Sequence, residues 1–98
     1  MNIIKHHVPV TELLAGLAEE AAELAQAALK YRRALDGTNP TPTDEDTAYE
    51  HLCEEIADVK LYSSMLSLNA RYISEIMDKK LKRWEGRLLN NGGSADVL

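Results

Sequence analysis

Apolar residues recur at three- and four-residue steps along most of the chain, with polar residues between them. That period is the signature of helices with one buried face. Leu13, Leu17, Leu24, Ala28, Tyr31 and Leu35 predict a first long helix over about 10–35. Thr11 is the predicted N-cap, and Gly37 the glycine that stops the helix. Residues 1–9 read as an irregular lead closed by Pro9, with His6 and His7 on a surface terminus. The stretch 36–44 holds Gly37, Asn39, Pro40 and Pro42 and must be a loop. Thr43 is the predicted cap of the second helix, with Asp44, Glu45 and Asp46 in the first turn, where the dipole favours negative charge. Ala48, Tyr49, Leu52, Ile56, Val59, Ser63 and Leu66 form its apolar side. A break is predicted at Ser67–Asn69. A third helix then runs to about Leu89 on a stripe of Ile73, Met77, Leu81, Trp84 and Leu88. Residues 90–98 read as a helix stop and a flexible tail. No strand pattern and no internal repeat is visible. The fold class is therefore all-α, an antiparallel helical bundle of three to four helices.

Composition supports this reading. Ala, Leu, Glu, Lys and Arg dominate, there is no Phe, and only three Pro and five Gly interrupt the pattern. A chain of 98 residues suffices for a single domain over 1–98. Its core would be thin, which favours completion of the bundle by oligomerisation as a homodimer or homotetramer. A net charge of −5 argues against a nucleic-acid polymer as partner, because backbone phosphates are bound by Lys and Arg. The same charge suits an anionic ligand bridged by a cation. Cys53 is alone, so it can form neither an intrachain disulfide nor a cysteine-based zinc site, and it is expected in the core. No apolar run is long enough for a membrane span or shaped like a signal peptide. The expectation is a cytoplasmic protein with no membrane partner.

The candidate chemistry lies in two acidic segments, Glu19-Glu20-Ala21-Ala22-Glu23 and Glu54-Glu55-Ile56-Ala57-Asp58. Glu20 and Glu23 stand three apart, as do Glu55 and Asp58, so each helix offers two carboxylates on one face. At roughly 100° per residue, Glu20 falls about 20° outside the Leu13–Leu17–Leu24–Tyr31 sector, and Glu55 about 20° from Ala48 and Leu66. Glu23 and Asp58 lie a step further round, and Glu19 and Glu54 point outward. Carboxylates at the edge of buried faces are costly unless a cation lies between them. Mg²⁺ prefers carboxylate oxygens together with substrate phosphates. The plain alternative is a solvated acidic face, since Glu is a common helix former.

The combination E-E-x-x-E, loop, E-x-x-D resembles the MazG-like all-α nucleoside triphosphate pyrophosphohydrolases. The resemblance rests on Glu19-Glu20-Ala21-Ala22-Glu23-Leu24-Ala25-Gln26-Ala27 and on Glu54-Glu55-Ile56-Ala57-Asp58-Val59, and extends over about residues 10–88. It implies hydrolysis of a nucleotide between its α and β phosphates, giving a monophosphate and pyrophosphate. It implies Glu20, Glu23, Glu55 and Asp58 as ligands of Mg²⁺, with Mn²⁺ as a substitute. Glu19 would hold a second metal or orient the attacking water. The last helix of such proteins supplies cations to the phosphates. Here Lys80, Arg83 and Arg87 share a face at i, i+3 and i+7, and would be the substrate-binding residues. The asparagine usual in that helix is replaced by Asp78 or Trp84.

The residues read alone leave several roles open. Lys80, Arg83 and Arg87 also fit a basic helix end complementing the dipole. Tyr31, Tyr49, Tyr62 and Trp84 are candidates for base stacking and equally for the core. Arg32 and Arg33 could reach phosphates or stay solvated. The competing function is a non-catalytic helical oligomer acting as a protein-interaction module, whose acidic residues would splay into solvent. A catalytic site requires them to converge.

Overall fold

The computed structural model describes residues 3–38 and 44–90. Among them are four helices and no strand: α1 (Ile3–His7), α2 (Val10–Asp36), α3 (Glu45–Met65) and α4 (Ala70–Asn90). The predicted Thr43 cap, most of the 36–44 loop and the tail beyond Asn90 lie outside the described residues. The chain divides into two units, one through Leu68 and one from Asn69.

The lead is not irregular throughout, because Ile3–His7 make a short helix. Pro9 separates it from α2, since proline disfavours helical conformation in the residue before it. Pro9 also takes the capping place assigned to Thr11. Its backbone is extended at φ −60° and ψ 149°, and its carbonyl accepts from the N–H groups of Glu12 and Leu13 at 3.0 and 3.1 Å. Thr11 is thus already inside the helix. At the far end Gly37 adopts the left-handed conformation, φ 75°, and donates its N–H to the Arg33 carbonyl, as predicted from its position. Beyond it, the Thr38 N–H and hydroxyl both donate to Asp36 Oδ1, at 3.0 and 2.5 Å. These bonds hold the Asp36 carboxyl below its usual range.

Asp44 caps α3, and Thr47 Oγ1 donates to its Oδ2 at 3.2 Å. The predicted break is present. Leu66 closes α3, Ser67 takes a left-handed φ of 53°, and Asn69 starts α4 by accepting the Tyr72 N–H on Oδ1 at 3.0 Å.

In the first unit α2 and α3 pack antiparallel. Gly16, early in α2, faces the ring of Tyr62, late in α3. At the other end Tyr31 meets Tyr49 edge-on, with ring centroids 5.8 Å apart. A Cβ at residue 16 would overlap the Tyr62 ring, so glycine here lets the aromatic lie against the α2 backbone. The core is small. Only Leu13 and Ala48 are fully buried among the described residues. Leu17, Leu24, Tyr31, Leu52 and Val59 are half-buried, whereas Ala28, Leu35, Tyr49 and Ile56, expected inside, are exposed. Cys53 is also exposed rather than in the core. It lies beside Tyr49, whose hydroxyl is pushed up first by a hydrogen bond with the thiol.

In the second unit, every residue of the predicted α4 stripe is exposed, from Ile73 at 40% to Met77 at 64%. No helix among the described residues is long and apolar enough to cross a membrane.

Candidate metal centre

Antiparallel packing brings the two acidic segments together. Each helix presents its carboxylates at i and i+3, and the pairing that sets Gly16 against Tyr62 carries Glu20 and Glu23 to the level of Asp58 and Glu55. One carboxylate oxygen from each of Glu20, Glu23 and Glu55 lies within 4.8 Å of the others. Asp58, the fourth predicted ligand, is not among these converging oxygens and stands beside them. It lines the same pocket as Glu20 and its charge acts on the Glu20 carboxyl.

Burial separates these groups in a way the helical wheel only half anticipates. Glu20 and Glu55 are half-buried and Glu23 is exposed, as their wheel positions predict. Asp58 is half-buried too, instead of standing a step toward solvent, because it faces the pocket beneath Leu61 and Met65. Glu19 and Glu54 are exposed, and the Glu19 carboxylate is not among those that converge.

The electrostatic cost is concentrated on Glu20. Its pKa is raised from 4.5 to about 7, first by burial, then by hydrogen bonding with Glu55, then by the charges of Glu23 and Asp58. When all are ionised, no donor serves the innermost oxygens. Glu20 Oε2 and Glu55 Oε2 are both shut off from solvent without a hydrogen-bond partner among the described residues. A proton shared between the two would satisfy them, and so would a cation. The donor set consists of carboxylate oxygens only, which suits a hard divalent ion. Mg²⁺ takes carboxylate oxygens as ligands, and one oxygen from each of these three glutamates is already close to the others. The residues fit such an ion.

Two spaces flank the cluster along the hairpin. Toward the 36–44 side is a polar groove of about 390 Å³, where Gln26, Lys30 and His51 join Glu23 and Glu55. Lys30 and His51 escaped the sequence reading. The signal was present, since Glu23, Gln26 and Lys30 follow the i, i+3, i+7 rule, and His51 precedes Glu55 by one turn. The second space, toward α1, is apolar.

Lys80, Arg83 and Arg87 do share one face. In the second unit they line a groove on α4 with Met77, Leu81 and Trp84. Neighbouring α4 charges form exposed i, i+4 pairs, Lys82–Asp78 at 3.1 Å and Arg71–Glu75 at 3.6 Å, which contribute little to stability.

Comparison of the chain with family models, with curated proteins and with solved structures finds no match.

Proposed function

We propose that this chain is a Mg²⁺-dependent nucleoside triphosphate pyrophosphohydrolase of the MazG-like all-α type. The observation that carries the reading is the convergence of Glu20, Glu23 and Glu55, with Asp58 beside them, around two buried carboxylate oxygens that have no donor among the described residues. A purely structural or protein-binding face gains nothing from holding such oxygens without partners.

Glu20, Glu23, Glu55 and Asp58 would hold Mg²⁺, or Mn²⁺ in its place. When bound, the ion supplies charge neutralisation at the triphosphate and lowers the pKa of a coordinated water. The chain's own groups do the rest. A cluster carboxylate accepts the proton of the attacking water, whose oxygen bonds to the α-phosphorus in line with the bridging oxygen. The bond from the α-phosphorus to that oxygen breaks, and pyrophosphate leaves with the electron pair. Lys30 and His51 line the groove next to Glu23 and Glu55, and would contact phosphate oxygens there. Lys80, Arg83 and Arg87 are the further phosphate cations that the family resemblance suggests. Glu19 would act on the water or on a second ion from outside the cluster. The exposed α4 stripe fits a homodimer or homotetramer, in which a second copy covers it.

The test is pyrophosphate release from a panel of nucleoside triphosphates with Mg²⁺ or Mn²⁺. Activity that disappears in Glu55→Gln and Asp58→Asn, with helix content unchanged by circular dichroism, supports the reading. Absence of release across the whole panel leaves the interaction-module reading in its place. Isothermal titration with Mg²⁺ separates the two independently, since a merely acidic surface would bind it weakly.

A further inference from the structure

Glu20 and Asp58 belong to a second space besides the metal cluster. Below them, in the same unit, lies a pocket of about 370 Å³ walled by Ile4, Val8, Leu13, Leu61, Tyr62 and Met65. Its volume falls within the usual range for small-molecule sites, about 300–1,000 Å³. Three elements build it: α1 and the Val8 turn on one side, Leu13 of α2, and the last turns of α3. The wall is apolar except for the two carboxylates and the Tyr62 hydroxyl. The Tyr62 ring lies against the α2 backbone, in the space that Gly16 leaves by having no Cβ. The cluster therefore has a polar groove with Lys30 and His51 on one side and an apolar pocket on the other.

Resting on the pyrophosphohydrolase reading, we propose that this pocket receives the nucleobase, so that the substrate lies along the hairpin with its phosphates toward Glu23, Lys30 and His51. The polarity of the two spaces matches the two ends of a nucleotide, and the carboxylates stand between them where the reacting phosphates must be. Recognition follows from the lining. Among the described residues it carries no amide or guanidinium, the groups that pair bidentately with the edge of a base, and its polar groups are the two carboxylates of the cluster and the Tyr62 hydroxyl. The base is held by apolar contact and by the Tyr62 ring. Ile4 of α1 and Val8 of the turn after it would form a wall over the base.

The experiment compares two probes by calorimetry in the presence of Mg²⁺: α,β-imido-dTTP, which cannot be cleaved at the reacting bond, and inorganic tripolyphosphate, which has no base. The wild-type chain is expected to bind the nucleotide at least about tenfold more tightly than tripolyphosphate, a difference typical of an apolar subsite. Leu61→Gln and Ile4→Gln, both at partly exposed positions that tolerate a polar side chain, are expected to remove most of that advantage and leave tripolyphosphate binding unchanged. Equal affinity for the two probes overturns the proposal while leaving the metal–phosphate reading standing. So does an advantage that survives both substitutions, or one that falls together with tripolyphosphate binding. Failure to bind either probe overturns both readings.

Discussion

The hairpin of α2 and α3 and the single helix α4 are written in the same sequence language and meet different ends. Each carries apolar residues at helical spacing and each folds as predicted. The hairpin closes its stripes on each other, buries Leu13 and Ala48, and brings carboxylates from two helices to one place. The α4 stripe, from Ile73 to Leu88, stays exposed. The charge divides in the same way. Residues 1–68 hold twelve acidic and five basic side chains, and residues 69–98 hold four acidic and six basic. The period of a pattern thus predicts the element, while a partner decides whether the stripe is buried. Where α2 and α3 are antiparallel neighbours, the spacing of acidic residues turns into a cluster of converging carboxylates.

The largest effect should follow from breaking the site on the hairpin. Glu55→Gln removes one of the two buried oxygens without a donor and is expected to lower pyrophosphate release on the order of a hundredfold or more, as loss of a metal ligand does. Arg83→Ala on α4 should cost about tenfold, the scale of one exposed contact to phosphate. Steady-state rates of the two variants decide the comparison. Equal losses would mean that the chemistry does not belong to the hairpin acids alone.

Much of this contrast was legible in the residues. The i, i+3 spacing of Glu20–Glu23 and Glu55–Asp58 fixed which carboxylates share a face, and Gly37 and Ser67–Asn69 marked real helix ends. What escaped depends on geometry that one helix does not contain. Ile3–His7 is too short for a period to be visible, so the wall formed by Ile4 and Val8 could not be anticipated. Asp58 is half-buried because it faces a pocket closed by another helix, and Lys30 and His51 meet only once the pairing of α2 with α3 is known. Cys53 was expected inside on its residue type, but it stands at an exposed position of α3 beside Tyr49. Thr11 lost the cap to Pro9 because the chain turns two residues earlier.

A middle-sized effect separates the two glycines placed within helices. A Cβ at Gly16 overlaps the Tyr62 ring, whereas one at Gly86 in α4 meets nothing within 4 Å. Gly16→Ala gains helix propensity but overpacks the hairpin, and should destabilise it by about 1–3 kcal/mol. Gly86→Ala has only the propensity gain and should stabilise by about 0.5–1 kcal/mol. Urea unfolding of the two variants gives opposite signs if the hairpin is the packed region and α4 the open one. Two gains would mean that Tyr62 moves aside freely.

The smallest effect is the dependence of stability on pH, and it tests whether the acid cluster is under strain without a cation. The folded Glu20 carboxyl titrates near 7 instead of 4.5, chiefly because it is buried against Glu55. Between those values the folded chain holds a proton that the unfolded chain has lost, so stability falls as pH rises through the window and is greatest at its acid end. The melting temperature, measured without divalent ions, should therefore decline from about pH 5 to about pH 8. Glu20→Gln should flatten that decline, because an amide has no charge to desolvate and can donate to Glu55. Mg²⁺ should flatten it in the wild type by another route, since the ion stabilises the deprotonated cluster and favours folding most at high pH. A profile that is flat in the wild type would mean that the cluster opens to water when empty, and that the carboxylates come together only around the ion.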